Sequence, residues 1–175
     1  LNKTEHIVQD EWIDFRKESF ILPDGKEFSP FYNYSRRNFV VIIAKTKDGK
    51  YITVRQFRHG LKKVTTEFCA GGIEGSEHES ALLAAKRELE EETGYISDNW
   101  KHIYTIPSNP TIADNYAFLY YADNCEKVSN QHLDSTEFLE VKEYTEDEIN
   151  DLIKNNEFVQ PIHLMGWLMV KKGVL

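Results

Sequence analysis

Short runs of aromatic and β-branched residues, separated by turn-forming residues, dominate this chain and predict a protein rich in β-strands. The predicted strands cover residues 6–22, 27–34, 39–45, 51–57, 64–70, 100–106, 115–122 and 137–144. Two hairpins are expected, because the Pro-Asp-Gly-Lys sequence at 23–26 and the Lys-Asp-Gly-Lys sequence at 47–50 both favour tight turns. The strand from Phe39 to Ala44 is apolar at every position, so it should lie inside a sheet that is covered on both faces.

Three segments carry helical signals. Ser76 and Glu79 have the spacing of a capping box, and Gly94 is suited to the end of the helix that would follow them. A second Ser/Thr-x-x-Glu pattern opens a helix over 145–155, and a proline in the first turn marks a last helix over 161–172. Strands dominate and helices lie between or after them, which predicts a mixed α/β (α+β) fold without regular β-α-β alternation.

Length and composition limit the classes of protein to which the chain can belong. Its 175 residues fit one domain with room for a small appendage. The longest apolar run has six residues and the N-terminus is polar, so we expect neither a membrane span nor a secretory signal. The formal charge of −8 disfavours binding to nucleic acid or to a membrane surface. Two cysteines, Cys69 and Cys125, are too few for a disulfide framework and indicate a cytoplasmic protein.

The predicted helix before Gly94 carries a cluster of acidic residues. Glu88, Glu91 and Glu92 have i, i+3, i+4 spacing, so their carboxylates project from one side of the helix. Like charges at this spacing, close to a helix C-terminus, destabilise the helix. A divalent cation such as Mg²⁺ would reverse that effect, because it prefers oxygen ligands and bridges carboxylates to phosphates. The alternative from the spacing alone is a solvated acidic face.

The residues around this cluster resemble the Nudix box. The sequence R-E-L-x-E-E-x-G-Y at 87–95 matches the second half of that motif position for position. In the first half, Gly71 and Glu77 have the family spacing, but nine residues and not seven then precede Arg87. Glu79 has the correct distance to Arg87, without a glycine six residues before it. A two-residue insertion explains both departures and leaves open whether Glu77 or Glu79 is the first glutamate of the box.

Other segments resemble the Nudix hydrolases that act on ADP-ribose and ADP-sugars. The sequence V-R-Q-F-R at 54–58 is similar to their V-x-Q-[FY]-R segment, and E-F-C-A-G at 67–71 has cysteine where the family has proline. Pro110 stands where this subgroup has a proline, although threonine and not glycine follows it. The sequence E-F-L-E-V at 137–141 resembles a later family segment whose first acidic residue often serves as the catalytic base.

The resemblance implies a fold and an assembly. The Nudix fold is a mixed β-sheet between helices, and members that act on ADP-ribose usually add an N-terminal β-hairpin that takes part in a dimer. We therefore expect residues 1–36 to form a hairpin extension used in dimerisation and residues 37–175 to form the catalytic domain. A homodimer is expected on this resemblance.

The resemblance also implies a reaction and its catalytic residues. The expected reaction is Mg²⁺-dependent hydrolysis of a nucleoside diphosphate linked to another group, with ADP-ribose giving AMP and ribose 5-phosphate; Mn²⁺ is an alternative metal. The metal ligands implied are the backbone carbonyl of Ala70 and the carboxylates of Glu88, Glu91 and Glu92. Glu137 would be the general base, and Arg87 would orient a neighbouring glutamate.

The resemblance assigns substrate contacts more loosely. The candidates are Arg58 for the phosphates, Pro110 in the loop after the box, and, for the adenine, the hairpin aromatics Trp12, Phe31, Tyr32 and Tyr34. Apart from the resemblance, Arg37 precedes a predicted central strand and is a candidate for added positive charge at the site. Other nucleotide sugars, NADH and dinucleoside polyphosphates remain alternative substrates within the same chemistry. Two further hypotheses are a non-catalytic sensor of nucleotide sugars and an acidic helix that binds a basic partner protein.

Overall fold

Two β-sheets and three helices make up the part of the chain that the computed structural model describes, which is residues 1–74 and 80–173. The strands are β1 (Lys3–Gln9), β2 (Asp14–Ile21), β3 (Glu27–Ser35), β4 (Phe39–Thr46), β5 (Tyr51–Arg58), β6 (Lys63–Glu67), β7 (Cys69–Gly72), β8 (Tyr95–Ile96), β9 (Asn99–Pro107), β10 (Tyr116–Lys127) and β11 (Glu140–Tyr144). The helices are α1 (Ala81–Thr93), α2 (Glu146–Lys154) and α3 (Pro161–Lys171). None of these helices is long and apolar enough to cross a lipid bilayer.

The N-terminal strands form a separate antiparallel sheet in the order β1-β2-β3. The predicted hairpin is present between β2 and β3, and Leu22 closes its turn by donating its amide to the carbonyl of Lys26. The single strand predicted over 6–22 is wrong, because a turn divides it into β1 and β2. The Asp10 carboxylate accepts the amides of Trp12 and Ile13 there, a local bond that competes with strand pairing.

The main sheet is mixed, as predicted. Its order is β11-β5-β4-β10-β8, with β6 paired to β5, β7 paired to β4 and β9 paired to β10. Strand β4 runs parallel to β10 and antiparallel to β5 and β7, so it lies inside the sheet. The strand predicted over 64–70 is two strands that separate at Phe68, because β6 pairs with β5 whereas β7 crosses to β4.

Helices cover both faces of this sheet. On one face, Val40 and Ile42 of β4 pack against Ala85 and Leu89 of α1. On the other face, alternate β4 residues pack in a cluster with α2 and α3 that contains the fully buried Trp167. A strand that is apolar on both faces therefore forms the centre of a three-layer core, which confirms the prediction made for β4.

The ends of the helices follow local signals. Gly94 ends α1 in the left-handed conformation, with φ of 74°, and a capping box of Thr145 and Glu148 opens α2, both as predicted. Helix α1 begins at Ala81 with Ser80 as its N-cap, and the box predicted at Ser76 and Glu79 lies outside the described residues. Strand β11 begins at residue 140 and not at 137, which leaves the preceding residues in a loop.

Candidate active site

Two glutamates of α1 lie together against strand β7. Glu88 and Glu92 are one helical turn apart and both are buried, whereas Glu90 is exposed on another side of the helix. The amide of Ala70 in β7 donates to Glu92 Oε2 at 3.2 Å. Gly71 allows the close approach of helix and strand, because a Cβ on this residue would stand 2.0 Å from the Glu88 carboxyl carbon. The helix–strand contact thus holds both carboxylates beneath the backbone of β7.

Burial makes ionisation of these two carboxyl groups costly. It raises the pKa of Glu88 to about 7, and the neighbouring Arg87 only partly opposes the change. Burial also raises the pKa of Glu92 to about 8, with the negative charges of Glu88 and Glu137 adding to the effect. A bound cation stabilises ionised carboxylates, and this stabilisation is greatest for buried acids whose pKa values are raised.

Arg87 links the glutamates of α1 to β7. Its Nη1 donates to Glu88 Oε1 and to Glu91 Oε2, both at 2.9 Å, and its Nη2 donates to the carbonyl of Gly72 at 3.1 Å. The guanidinium therefore holds the Glu88 carboxylate in place, which is the geometry of a positioning residue. It also draws Glu91, which is half-exposed, towards the rim of the site.

Arg58 is held by a buried acid on the neighbouring strand. Its Nε donates to Glu67 Oε1 at 2.9 Å and its Nη2 to Glu67 Oε2 at 2.5 Å, so the pair is bidentate. The Glu67 side chain is 0% exposed and also accepts the hydroxyl of Thr65. The predicted phosphate contact of Arg58 stays a prediction. The bonds to Glu67 use Nε and Nη2, so Nη1 is the nitrogen of the guanidinium that this contact would use.

A cavity of about 700 Å³ opens beside these groups. Glu88 and Glu91 line it together with Arg58, and basic and aromatic residues of the N-terminal region form another part of its wall. Among those, the Arg37 guanidinium stacks on the ring of Trp12, 5.5 Å from its centroid, and Trp12 is 62% exposed. The structure thus brings the predicted phosphate-binding and adenine-binding candidates into the same cavity as Glu88 and Glu91.

Glu137 reaches the cavity from the loop before β11. Its amide donates to the carbonyl of Asp134 at 2.9 Å, and its Oε2 accepts the amide of Asp134 at 3.1 Å. Both residues line the cavity, and the charge of Glu137 acts on Glu88 and Glu92. Glu137 therefore lies near the acidic pair on a loop, where its position does not depend on strand pairing.

Pro110 does not line the cavity. It is exposed in the connection between β9 and β10, while Ser108 and Asn115 from the ends of that connection do line the cavity. These two residues are hydrogen-bonded to each other, and Asn115 also donates to the carbonyl of Arg37 at 3.0 Å. The bonds close the base of the loop and leave Pro110 in solvent, and the predicted contact between Pro110 and substrate stays a prediction.

The donor set near β7 fits a hard divalent cation. Its side-chain donors are carboxylate oxygens, which suit Mg²⁺ or Mn²⁺ better than a softer metal. Within residues 1–74 and 80–173, no three acidic, histidine or cysteine side chains already converge as a metal cluster. Glu88 and Glu92 lie together, Glu91 is bonded to Arg87, and Glu77 and Glu79 lie outside the described residues.

Three residues without a predicted role belong to this region. Glu67 binds Arg58, Asn115 binds the backbone before β4, and His163 of α3 lines the cavity. The signal for Glu67 was a charged residue inside a predicted strand, directly before the apolar residues Phe68, Cys69 and Ala70, a place where a charge is uncommon without a partner. Asn115 and His163 carried no such signal, because their contacts are made with residues far away in the chain.

Gly71→Ala is expected to lower turnover by about 10²-fold with little loss of stability. The new Cβ would stand 2.0–2.2 Å from the three carboxyl atoms of Glu88, which form the flexible end of a side chain and can move aside. The fold therefore survives while the carboxylate leaves its position. Steady-state kinetics and thermal melting measure the two effects. Gly72→Ala is the matched control, since its Cβ would meet nothing within 4 Å; equal losses in both variants would contradict the explanation.

Magnesium is expected to stabilise the protein more at about pH 9 than at about pH 6. The pKa values of Glu88 and Glu92 in the folded state, about 7 and about 8, exceed the ordinary value of 4.5. The folded state therefore binds more protons, and stability without metal falls as pH rises from about 4.5 through about 8. Mg²⁺ binds the ionised carboxylates. At about pH 6 it must therefore displace protons from Glu88 and Glu92, whereas at about pH 9 both groups are already ionised.

Differential scanning fluorimetry with Mg²⁺ or EDTA at the two pH values measures this effect. Taking the difference between Mg²⁺ and EDTA cancels the titration of groups elsewhere in the protein. The Mg²⁺-induced rise in Tm should be larger at high pH and should shrink in Glu92→Gln. A rise that is equal at both pH values would show that the metal does not bind through these carboxylates.

Comparison with known proteins agrees with the fold and with the acidic helix. The NUDIX domain model matches residues 34–163. ADP-ribose pyrophosphatase of Bacillus subtilis (strain 168) is 33% identical over 174 residues, which cover 97% of this chain and 92% of that protein. Methanol dehydrogenase activator of Bacillus methanolicus is 33% identical over 153 residues, which cover 87% of this chain and 81% of that protein.

A solved structure described as an ADP compounds hydrolase has the same fold, with a TM-score of 0.82 and 18% identity over 98% of this chain and 91% of that one. The family match spans β4 to the start of α3 and includes the acidic pair of α1, Arg87 and Glu137. The mixed sheet between helices is the fold that the resemblance in the sequence implied. The chain therefore belongs to the Nudix hydrolases and is an enzyme of the pyrophosphatase type.

Proposed function

We propose that this enzyme hydrolyses the diphosphate bond of ADP-ribose or a related ADP-sugar in a Mg²⁺-dependent reaction, with AMP and a sugar phosphate as products. The observation that carries the proposal is one cavity that contains Glu88 of the buried acidic pair, Arg58, and the stacked Trp12 and Arg37. An aromatic ring suits a base, and guanidinium groups suit a diphosphate. The name of the Bacillus subtilis relative supports the choice of ADP-ribose.

The protein groups have distinct tasks in this reaction. A water oxygen attacks one phosphorus atom, the bond between that phosphorus and the bridging oxygen breaks, and the bridging oxygen leaves with the other phosphate. Bound Mg²⁺ would be held by Glu88, Glu92, Glu91 and the carbonyl of Ala70, and would neutralise phosphoryl charge and acidify water. Arg87 fixes Glu88, Arg58 and Arg37 contact the phosphates, and Trp12 stacks on the adenine.

The proton of the attacking water goes to Glu137 in this proposal. Glu137→Gln should lower kcat by about 10²–10⁴-fold while Mg²⁺ binding is retained. Glu140→Gln is the matched control, because Glu140 is exposed and forms ion pairs with Arg55 of β5 and Lys142 of β11. Metal binding is followed by the Mg²⁺-induced rise in Tm. If kcat of Glu137→Gln stays near the wild-type value, the base is another group, and Asp134 would be tested next.

The substrate is tested by phosphate release, coupled to alkaline phosphatase, from a panel of nucleotide compounds with and without Mg²⁺. The panel contains ADP-ribose, ADP-glucose, GDP-mannose, UDP-glucose, NADH and diadenosine polyphosphates. Metal-dependent release that is greatest from ADP-ribose and is lost in Glu92→Gln would support the proposal. Equal release from several compounds would keep the chemistry and reject the ADP-ribose preference. No release from a folded, metal-bound protein would favour a nucleotide-sugar sensor.

We also propose that residues 1–36 form an extension through which two copies of the chain associate, in the cytoplasm. The β1-β2-β3 sheet supports this proposal because it exposes apolar side chains, notably Ile7, Ile21 and Phe28. Light scattering after size exclusion gives the mass in solution. A dimer that Phe28→Glu converts to a monomer would support the assignment, whereas a wild-type monomer would reject it.

A further inference from the structure

His163 occupies an unusual place for a histidine on an apolar helix. It lies in the first turn of α3, two residues after Pro161, and it is 4% exposed. The residue nevertheless lines the active-site cavity, together with its helix neighbours Gln160 and Ile162. The small exposed part of this residue therefore faces the cavity. The reaction described above gives this residue no task.

One ring nitrogen of His163 is already occupied. The backbone amide of Phe68, at the break between β6 and β7, donates to Nδ1 at 3.2 Å. An Nδ1 atom that accepts a hydrogen bond carries no proton, so the proton of the neutral ring is on Nε2. Burial lowers the pKa of His163 to about 4, and the nearby Arg58 adds to this effect while Glu67 opposes it. The ring is therefore neutral at neutral pH, with Nε2–H as its donor.

The Nε2 atom has no hydrogen-bond partner among the described residues and is not fully buried. Among the described residues, the fully buried side-chain nitrogen and oxygen atoms without a hydrogen-bond partner are the hydroxyls of Ser19 and Ser129. Nε2 of His163 is not one of these atoms and makes no hydrogen bond to a described residue, so it is accessible. Because the whole residue is almost buried, that access is through the cavity.

We propose that Nε2–H of His163 donates a hydrogen bond to an oxygen of the bound nucleoside diphosphate compound, which makes it a substrate-binding residue. The inference rests on the proposed function, since that function supplies a ligand with phosphoryl and sugar oxygens. The surroundings fit an oxygen acceptor, because His163 is close enough to the Arg58–Glu67 pair for their charges to act on its ring. A neutral donor beside a cation binds an anionic oxygen without adding a second buried charge.

Substitution of His163 by Asn or by Gln separates a role in substrate binding from a role in holding the Phe68 backbone. His163→Asn places an amide oxygen where Nδ1 lies, so it can still accept the Phe68 amide but cannot reach the position of Nε2. His163→Gln reaches that position with an N–H donor and loses the acceptor for Phe68. His102→Asn is the matched control, because His102 is exposed and bonded to Thr105 on β9.

The measurements are KM and kcat for ADP-ribose, the Kd of ADP-ribose by calorimetry in EDTA, and Tm. We expect His163→Asn to keep its Tm and kcat and to raise KM and Kd by about 10- to 100-fold. His163→Gln should melt at a lower temperature and stay closer to the wild type in Kd. If His163→Asn does not fold, the Kd of His163→Gln decides, and a folded His163→Gln that has lost affinity would overturn the proposal.

Wild-type affinity in His163→Asn would also overturn the proposal, and His163 would then serve only to hold Phe68. That outcome would leave the proposed function intact, since wild-type protein would still bind and hydrolyse ADP-ribose. Wild-type protein that neither binds nor hydrolyses any member of the panel would overturn the proposed function itself, together with this role of His163. The wild-type measurement therefore distinguishes the two failures.

Discussion

Glu92→Gln is expected to lower turnover by about 10³-fold or more and, without metal, to make the protein more stable at about pH 8. The loss of activity follows because the substitution removes a buried carboxylate from the proposed metal site. The gain in stability follows because Glu92 ionises in a buried position. The rise of its pKa from 4.5 to about 8 sets an upper limit of about 5 kcal/mol on that gain.

Two measurements check this result on the same samples. Turnover is measured in Mg²⁺, and the free energy of unfolding is measured by urea denaturation in EDTA. Glu90→Gln is the matched control, since it changes the same residue type on an exposed side of α1 and should alter neither quantity. A variant that lost both activity and stability would mean that Glu92 supports the fold through its bond to Ala70 and not the chemistry.

Arg58→Ala is expected to destabilise the protein by about 3–5 kcal/mol. The substitution leaves the Glu67 carboxylate, which is 0% exposed, without its bidentate partner. For a chain of this length the loss corresponds to a fall in Tm of roughly 10 °C. Urea denaturation at pH 7 measures the free energy of unfolding. A change below about 1 kcal/mol would mean that Glu67 is solvated or protonated when Arg58 is absent.

The double variant Arg58→Met, Glu67→Gln separates the structural task of Arg58 from its predicted contact with phosphate. It removes both charges and keeps an acceptor for the hydroxyl of Thr65, so most of the lost stability should return. If Arg58 also grips the substrate, KM for ADP-ribose should remain raised by about 10-fold or more in this stable variant. A KM that returned to the wild-type value would assign Arg58 to the support of Glu67 alone.

The features that depend on short-range interactions could be predicted from the order of the amino acids alone. Thr145 and Glu148 cap α2 and Gly94 ends α1 as predicted, because a cap requires only residues within one helical turn. The i, i+4 spacing placed Glu88 and Glu92 on one side of α1 for the same reason. The unbroken apolar run of β4 required cover on both faces, which was sufficient to predict the layered core and, with the Nudix box, the family.

Which side chains contact each other, and how deeply each is buried, depends on the packing of elements that are distant in the chain. Arg58 pairs with Glu67, β6 and β7 part at Phe68, and His163 accepts an amide from a residue 95 positions away in the chain. Glu137 lies in a loop before β11, and Pro110 is exposed in the connection between β9 and β10. Long-range packing determines these outcomes, because burial by distant elements sets both the cost of a charge and the partner that offsets it.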